Sequence, residues 1–200
     1  MATAPKALIF DLGGVIVRWT GIEALMEMTG RSRSDVLQIF KVNPIFQAYE
    51  IGRCDDDRFA AAMIESFNLD MDTVSFKRLW QSWVGQTYPD TKRVLAALRE
   101  SFVTACLSNT NALHWERLKQ FIETEDYFDY SFASHLIHAA KPTLESYTIS
   151  IEKMGLTTSD IWFFDDTKVN ISAAQNFGIQ AFHVDRNVGV LPTLERLELI

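Results

Sequence analysis

The sequence predicts an α/β fold: a parallel sheet crossed by helices, with an all-helical module inserted after the first strand. Three observations lead there. Four short apolar runs, ALIF (7–10), FVTACL (102–107), IWFF (161–164) and QAFHV (180–184), have strand length and no polar alternation, the pattern of strands buried on both faces. Helical patterns lie between the later runs, and strand–helix alternation means crossover units and a parallel sheet. Residues 17–87 break that rhythm and contain no clear strand run.

In chain order, the first strand, ALIF, stops at a lone carboxylate, Asp11, followed by Leu12, Gly13 and Gly14. In residues 17–87, Phe59, Ala62, Met63 and Phe67 repeat at helical spacing, as do Phe76, Leu79, Trp80, Trp83 and Val84. This predicts about four helices, packed internally or in a dimer. Asp90 is placed to cap a helix whose apolar positions are Val94, Leu95 and Leu98. The second strand leads into Ser108, with Thr110 or Asn111 placed to cap the next helix. YSFAS (130–134) is a weaker strand candidate. Thr143 is placed to cap a helix that stops at Gly155, and a helix over 168–177 stops at Gly178. The expected division is a core of residues 1–16 and 88–200 and a helical cap domain of residues 17–87.

Bulk composition narrows the class. A hydrophobic fraction of 48% and a charged fraction of 22% fit a globular chain. The net charge of −7 speaks against a nucleic-acid partner, which needs a basic face. The opening residues MATAPKA are too short and mixed for a signal peptide. No stretch approaches the roughly 18 apolar residues of a membrane span. A cytoplasmic protein without membrane or nucleic-acid partners, monomeric or homodimeric, is the expectation. Cys54 and Cys106 lack metal-ligand spacing and read as two separate thiols.

The polar residues fall at strand ends. Asp11, Ser108 and the pair Asp165/Asp166 each follow a buried run, and in an open parallel sheet ligands sit at the carboxyl ends of strands. Lys141 lies beyond the YSFAS run, at a helix start. Asp11 and Asp165 supply hard oxygen ligands suited to Mg²⁺. Gly13 and Gly14 free the backbone to turn, so that amides here can cradle an anion. The Ser108 hydroxyl, Asn109 amide and Lys141 ammonium would complete a phosphate site. Carboxylate nucleophiles serve covalent phosphoryl transfer, with cations offsetting charge.

With these residues in place, the chain resembles the haloacid dehalogenase superfamily, in particular members with a small helical cap after the first motif. Asp11 in FDLGGV is similar to the first-motif nucleophile, Ser108 in LSNTN to the second motif and Lys141 in AAKPTLESY to the third. FFDD, with Asp165 and Asp166 followed by Asn170 and Ala173, is similar to the fourth. The stretch FQAYEIGRCDDDRF resembles the cap pattern. The resemblance implies a doubly wound, Rossmann-like core, an aspartyl-phosphate intermediate and a small phosphorylated metabolite as substrate. It implies Mg²⁺ held by Asp11, the Gly13 carbonyl and Asp165, with Asp166 beside them. Leu12 and Gly13 would join Ser108, Asn109 and Lys141 around the phosphate.

One departure stands out. Phosphatases of this group usually carry a second aspartate, the proton shuttle, where this chain has Gly13. Its loss should cost on the order of 10²–10⁴-fold in rate. One expectation is a phosphatase limited to good leaving groups, such as an anomeric sugar phosphate. A second is that another residue moves the proton: His114 from the core, or Glu50 from the cap. A third is a non-catalytic protein that binds a phosphorylated ligand or a protein partner. A fourth, a haloacid dehalogenase, would have a bulky residue at Gly13 and lack the Asp165/Asp166 pair. His138 and Ala140 also depart from the third-motif pattern, while His135 and His138 are expected to be structural or exposed and not metal ligands. Trp19, Tyr49, Glu50 and Arg53 are the expected substrate readers.

Overall fold

The computed structural model describes residues 4–200; residues 1–3 of the MATAPKA stretch lie outside them. The chain opens with β1 (Ala7–Phe10) and β2 (Val17–Trp19). Five helices come next: α1 (Gly21–Thr29), α2 (Arg33–Val42), α3 (Pro44–Glu50), α4 (Asp56–Phe67) and α5 (Thr73–Ser82). Then come β3 (Val84–Thr87), α6 (Thr91–Arg99), β4 (Val103–Ser108), α7 (Ala112–Leu118), α8 (Thr124–Tyr127), β5 (Tyr130–Ala133) and α9 (Ser134–Ile137). The chain closes with α10 (Leu144–Met154), β6 (Ile161–Asp165), α11 (Lys168–Asn176), β7 (Gln180–His183) and α12 (Leu191–Arg196).

Five strands form one parallel sheet in the order β5-β4-β1-β6-β7. From β1 the chain steps to β4 and β5 on one side and to β6 and β7 on the other, so the strand order reverses beside β1. Such a switch point opens a crevice beyond the strand ends. Alternate residues of β1 enter opposite cores. Leu8 and Phe10 join Val94, Leu95 and Phe164 on one face. Ala7 and Ile9 join Tyr147, Phe163 and Ile171 on the other. Burial on both faces is why β1, β4 and β6 read as apolar runs, whereas β7 is an edge strand with Gln180 and His183 exposed, so the QAFHV run is not buried on both faces.

The helices between β2 and β3 bury a third core, rich in aromatics: Phe40, Phe59, Phe67, Phe76, Trp80 and Trp83. The Phe76–Trp83 stripe therefore packs inside the chain. Capping fixes the helix starts. Ser32 forms a capping box with Asp35, and Asn43 accepts from the Ile45 and Phe46 amides with Pro44 at the first turn. Asp55 and Asp72 cap α4 and α5.

Four local expectations change. The inserted segment has five helices, not about four. It also begins and ends on β2 and β3, a short antiparallel pair whose residues, VRW and VGQT, mix charged, glycine and polar positions and so form no apolar run. Asp90 does not cap α6; its backbone is left-handed (φ 58°), which turns the carboxylate away from the helix amides. Thr143 precedes α10, but its hydroxyl donates back to the Ala140 carbonyl. Among the described residues no helix is long and apolar enough to cross a membrane. Cys54 and Cys106 are both free thiols.

Candidate active site

Sheet register brings the strand-end polar groups together. Phe10 is level with both Cys106 and Phe164, so Asp11 follows β1 level with Asp165 of β6 and one residue short of Ser108 at the end of β4. The Asp11 amide donates to the Phe164 carbonyl at 2.8 Å, extending the ladder to the nucleophile position. Lys141 enters from the loop before α10. Its ammonium, fully buried, lies 2.7 Å from Asp165 Oδ2 and 3.0 Å from Asp11 Oδ1. Asn109 holds the Lys141 backbone through a reciprocal pair: its Nδ2 donates to the Lys141 carbonyl and its Oδ1 accepts from the Lys141 amide, both at 2.8 Å. Asn170 Nδ2 and the Thr167 amide donate to Asp165 and fix its carboxylate. Asp166 faces Arg186 across 3.7 Å.

Carboxylate oxygens of Asp11, Asp165 and Asp166 all come within 4.8 Å of one another. Burial pushes the Asp11 carboxyl up to about 7; Lys141 opposes this, while Asp165 and Asp166 add to it. Burial also raises Asp166, with Asp165 adding. Lys141 loses solvation too, but Asp11 and Asp165 hold its ammonium above the ordinary lysine range. Three hard oxygen donors facing so little positive charge fit a small divalent cation such as Mg²⁺.

The two glycines differ. Gly14 has φ 78°, and a Cβ there would lie 2.8 Å from Asp166 Cγ. Only glycine lets this turn pass the acids. Gly13 has no left-handed backbone, and an added Cβ would meet only Trp19 Cβ at 3.6 Å. The expected amide cradle is partly spent: the Gly14 amide donates to Val17 and the Leu12 amide to Asp11 Oδ1.

From the inserted helices, Glu50 at the end of α3 reaches the same cavity as Asp11, Ser108, Asn109 and Lys141. Burial raises its carboxyl to about 7, against the pull of Lys141 and a hydrogen bond with Asn109. Its carbonyl accepts from the Ser134 hydroxyl at 2.6 Å, and Ser134 also bonds Thr110. His138 Nδ1 pairs with the Ile51 carbonyl at 3.0 Å. A Cβ on Gly52 would strike the His135 carbonyl, so the turn after α3 sits flush on α9.

His114 requires a correction. It lines the cavity, but Asn111 caps α7 and faces His114 Nδ1 at 3.4 Å, while Nε2 pairs with the Trp80 carbonyl at 2.8 Å. The ring stacks on Trp80, and burial lowers its pKa to about 4. A neutral ring with both nitrogens engaged is a structural group and not a proton donor. Arg53 is exposed and outside the cavity wall, whereas Trp19 and Tyr49 line it. Asp166 does not cap α11; Asp165 takes the Thr167 amide instead. Sequence reading missed Arg186, whose guanidinium reaches Asp166 and the Trp19 carbonyl from a loop with no motif of its own.

The profile of haloacid dehalogenase-like hydrolases matches residues 5–178. The chain belongs to this family. A sesquiterpene phosphatase, astK, from Aspergillus oryzae is 26% identical over 201 residues, covering 98% of each chain. Phosphatase MT3486 from Mycobacterium tuberculosis is 28% identical over 197 residues, covering 91% of this haloacid dehalogenase-like hydrolase and 88% of the relative. Among solved structures, the magnesium complex of the haloacid dehalogenase family enzyme bt-2542 from Bacteroides thetaiotaomicron superposes with a TM-score of 0.80. It is 25% identical, and the match covers 97% of this chain and 100% of that one. The same enzyme has been solved with magnesium and inorganic phosphate.

Proposed function

We propose that this hydrolase cleaves phosphate monoesters by transferring the phosphoryl group to Asp11. The observation that carries the reading is the buried cluster of Asp11, Lys141, Asp165 and Asp166 at the sheet's switch point, with Ser108 opening on the same cavity. The two curated relatives are named as phosphatases, which supports it. So does the Asp165/Asp166 pair, which a metal-free attack on a carbon–halogen bond would not use.

Asp11 Oδ attacks phosphorus, the ester P–O bond breaks, and the alcohol leaves. Ser108 and Lys141 hold the phosphoryl oxygens, and Lys141 also bridges and fixes Asp11 and Asp165. Asp11, Asp165 and the Gly13 carbonyl, with Asp166, would hold Mg²⁺, which supplies positive charge against the transferring group. The proton comes from Glu50. A carboxyl raised to about 7 by burial is balanced between acid and base at neutral pH. Protonated Glu50 gives its proton to the leaving oxygen. The carboxylate then takes a proton from the water that attacks the aspartyl phosphate, and inorganic phosphate and Asp11 are released. The inserted helices thereby act as a cap that closes over the core.

The test is hydrolysis of p-nitrophenyl phosphate with and without Mg²⁺, beside Asp11→Asn. Metal-dependent turnover that vanishes in the variant is expected. Unchanged turnover in Asp11→Asn would sink the covalent route.

A further inference from the structure

The cavity that begins at Asp11 does not end at the phosphate site. It has a volume of about 910 Å³ and continues between the inserted helices, near the upper end of the roughly 300–1,000 Å³ typical of small-molecule sites. Its far wall is apolar: Ile22 from α1, Leu37 and Phe40 from α2, Phe46 from α3, Trp80 from α5 and Leu118 from α7. Leu37 is 45% exposed although it lines the cavity, so the apolar wall runs out to the mouth. An apolar surface left open beside a polar site marks a place where something apolar binds.

The buried polar groups along this wall are already paired with the protein, and the exposed Lys41 ammonium sits at the rim. Asn111 Oδ1 accepts from Trp80 Nε1 at 3.3 Å and from the His114 amide at 3.1 Å. His114 is held by the Trp80 carbonyl and Asn111. The Tyr49 hydroxyl donates to Asp56 at 2.7 Å, and Gln47 Nε2 to the Lys41 carbonyl. At the rim, Arg33 is paired with Glu23 at 2.7 Å. A sugar seated between the buried side chains, inside the rim, would lose water from its hydroxyls without gaining partners, which costs more than its burial returns. A hydrocarbon meets no such cost.

Resting on the phosphatase reading above, we infer that the leaving group is an extended apolar alcohol. Its chain lies between Ile22, Leu37, Phe40, Phe46 and Trp80, with the phosphate at Asp11. The substrate class is then a long-chain alkyl or prenyl phosphate and not a sugar phosphate.

Non-hydrolysable phosphonates test the cavity separately from the chemistry. Methyl-, butyl- and octylphosphonate and a glucosyl phosphonate are titrated into the wild-type protein with Mg²⁺, reading tryptophan fluorescence with calorimetry alongside. Affinity should rise by about fourfold per added methylene while the chain fits, and the glucosyl compound should bind no better than methylphosphonate. Leu37→Glu, an exposed position, should weaken octylphosphonate at least tenfold and leave methylphosphonate unchanged. Equal affinity along the series, tighter binding of the sugar compound, or indifference to Leu37→Glu would overturn the inference. Failure of the phosphatase reading would show separately, as absent turnover of p-nitrophenyl phosphate with the chain-length dependence intact.

Discussion

Lys141 Nζ lies 2.7 Å from Asp165 Oδ2, with both side chains fully buried. It reaches Asp11 as well, at 3.0 Å. One ammonium thus neutralises the close approach of two strand-end acids. Lys141→Met leaves those acids facing each other, and removing one partner of a buried charge pair costs about 3–5 kcal/mol. Calorimetry should find a lower Tm, and p-nitrophenyl phosphate turnover should be lost.

Gly13 and Gly14 should respond in opposite ways. Gly13→Asp introduces no strain, since the backbone is ordinary and the new Cβ meets only Trp19. Its Tm should be higher with Mg²⁺ than without, since the new carboxylate joins three others, and turnover of unactivated alkyl phosphates should rise as a second proton shuttle is added. Gly14→Ala forces a side chain into a left-handed turn against Asp166. That conformation alone costs about 1–2 kcal/mol, and Tm should fall by about 2–8 °C. Thermal melts of the two variants side by side check both outcomes.

Glu50→Gln should lower turnover of alkyl phosphates by about 10²–10⁴-fold and of p-nitrophenyl phosphate by much less, because a nitrophenolate leaves without a proton. In the wild type, kcat/KM for alkyl esters should follow a bell near pH 7, its rising limb from Asp11 losing its proton and its falling limb from Glu50 losing its own, and Glu50→Gln should remove the falling limb. Stability carries the same signature. The folded carboxyl titrates at about 7 instead of 4.5, so the folded state holds more protons between those values. Stability from this group is full below pH 4.5 and falls as pH rises through 7. Glu50→Gln should therefore match wild type in Tm at pH 4.5 and exceed it at pH 8.

His114 titrates in the other direction. Burial lowers its folded pKa from 6.5 to about 4. The unfolded chain binds more protons in that window, so the neutral ring contributes stability above pH 6.5 that is lost as pH falls toward 4. His114→Phe should flatten this part of the Tm–pH curve. It should keep the shape of the pH–rate profile, because the ring moves no proton in the reaction.

Much of the site was legible because strand ends are legible. Asp11, Ser108 and Asp165 each terminate an apolar run, and Lys141 stands at a helix start, so the parallel sheet alone was enough to gather them. What escaped depends on contacts between distant segments. Ser134 meets Glu50 across 84 residues, His114 meets Trp80 across 34, and Arg186 meets Trp19 across 167. No local pattern encodes such pairs. His114 looked like a proton donor because its type and helix-start position are visible in sequence, while the Trp80 carbonyl that occupies it is not. The contrast between Gly13 and Gly14 was hidden for a similar reason: backbone angles inside a turn depend on the neighbours the turn must pass. β2 (VRW) and β3 (VGQT) carry charged, glycine and polar residues where β1 is wholly apolar, so neither stood out as a run.

The Ser134 hydroxyl ties the carbonyl of Glu50 to the loop that also carries Thr110. With Glu50 in its proposed role, this bond acts as an interlock. The proton is available at the reacting oxygen only while α3 is seated on α9, and a lifted cap disarms the site by carrying its acid away. The Ser134 hydroxyl shares this seam with the His138–Ile51 pair and with Gly52 flush on His135, so the seating of the acid is set by contacts outside the four motifs.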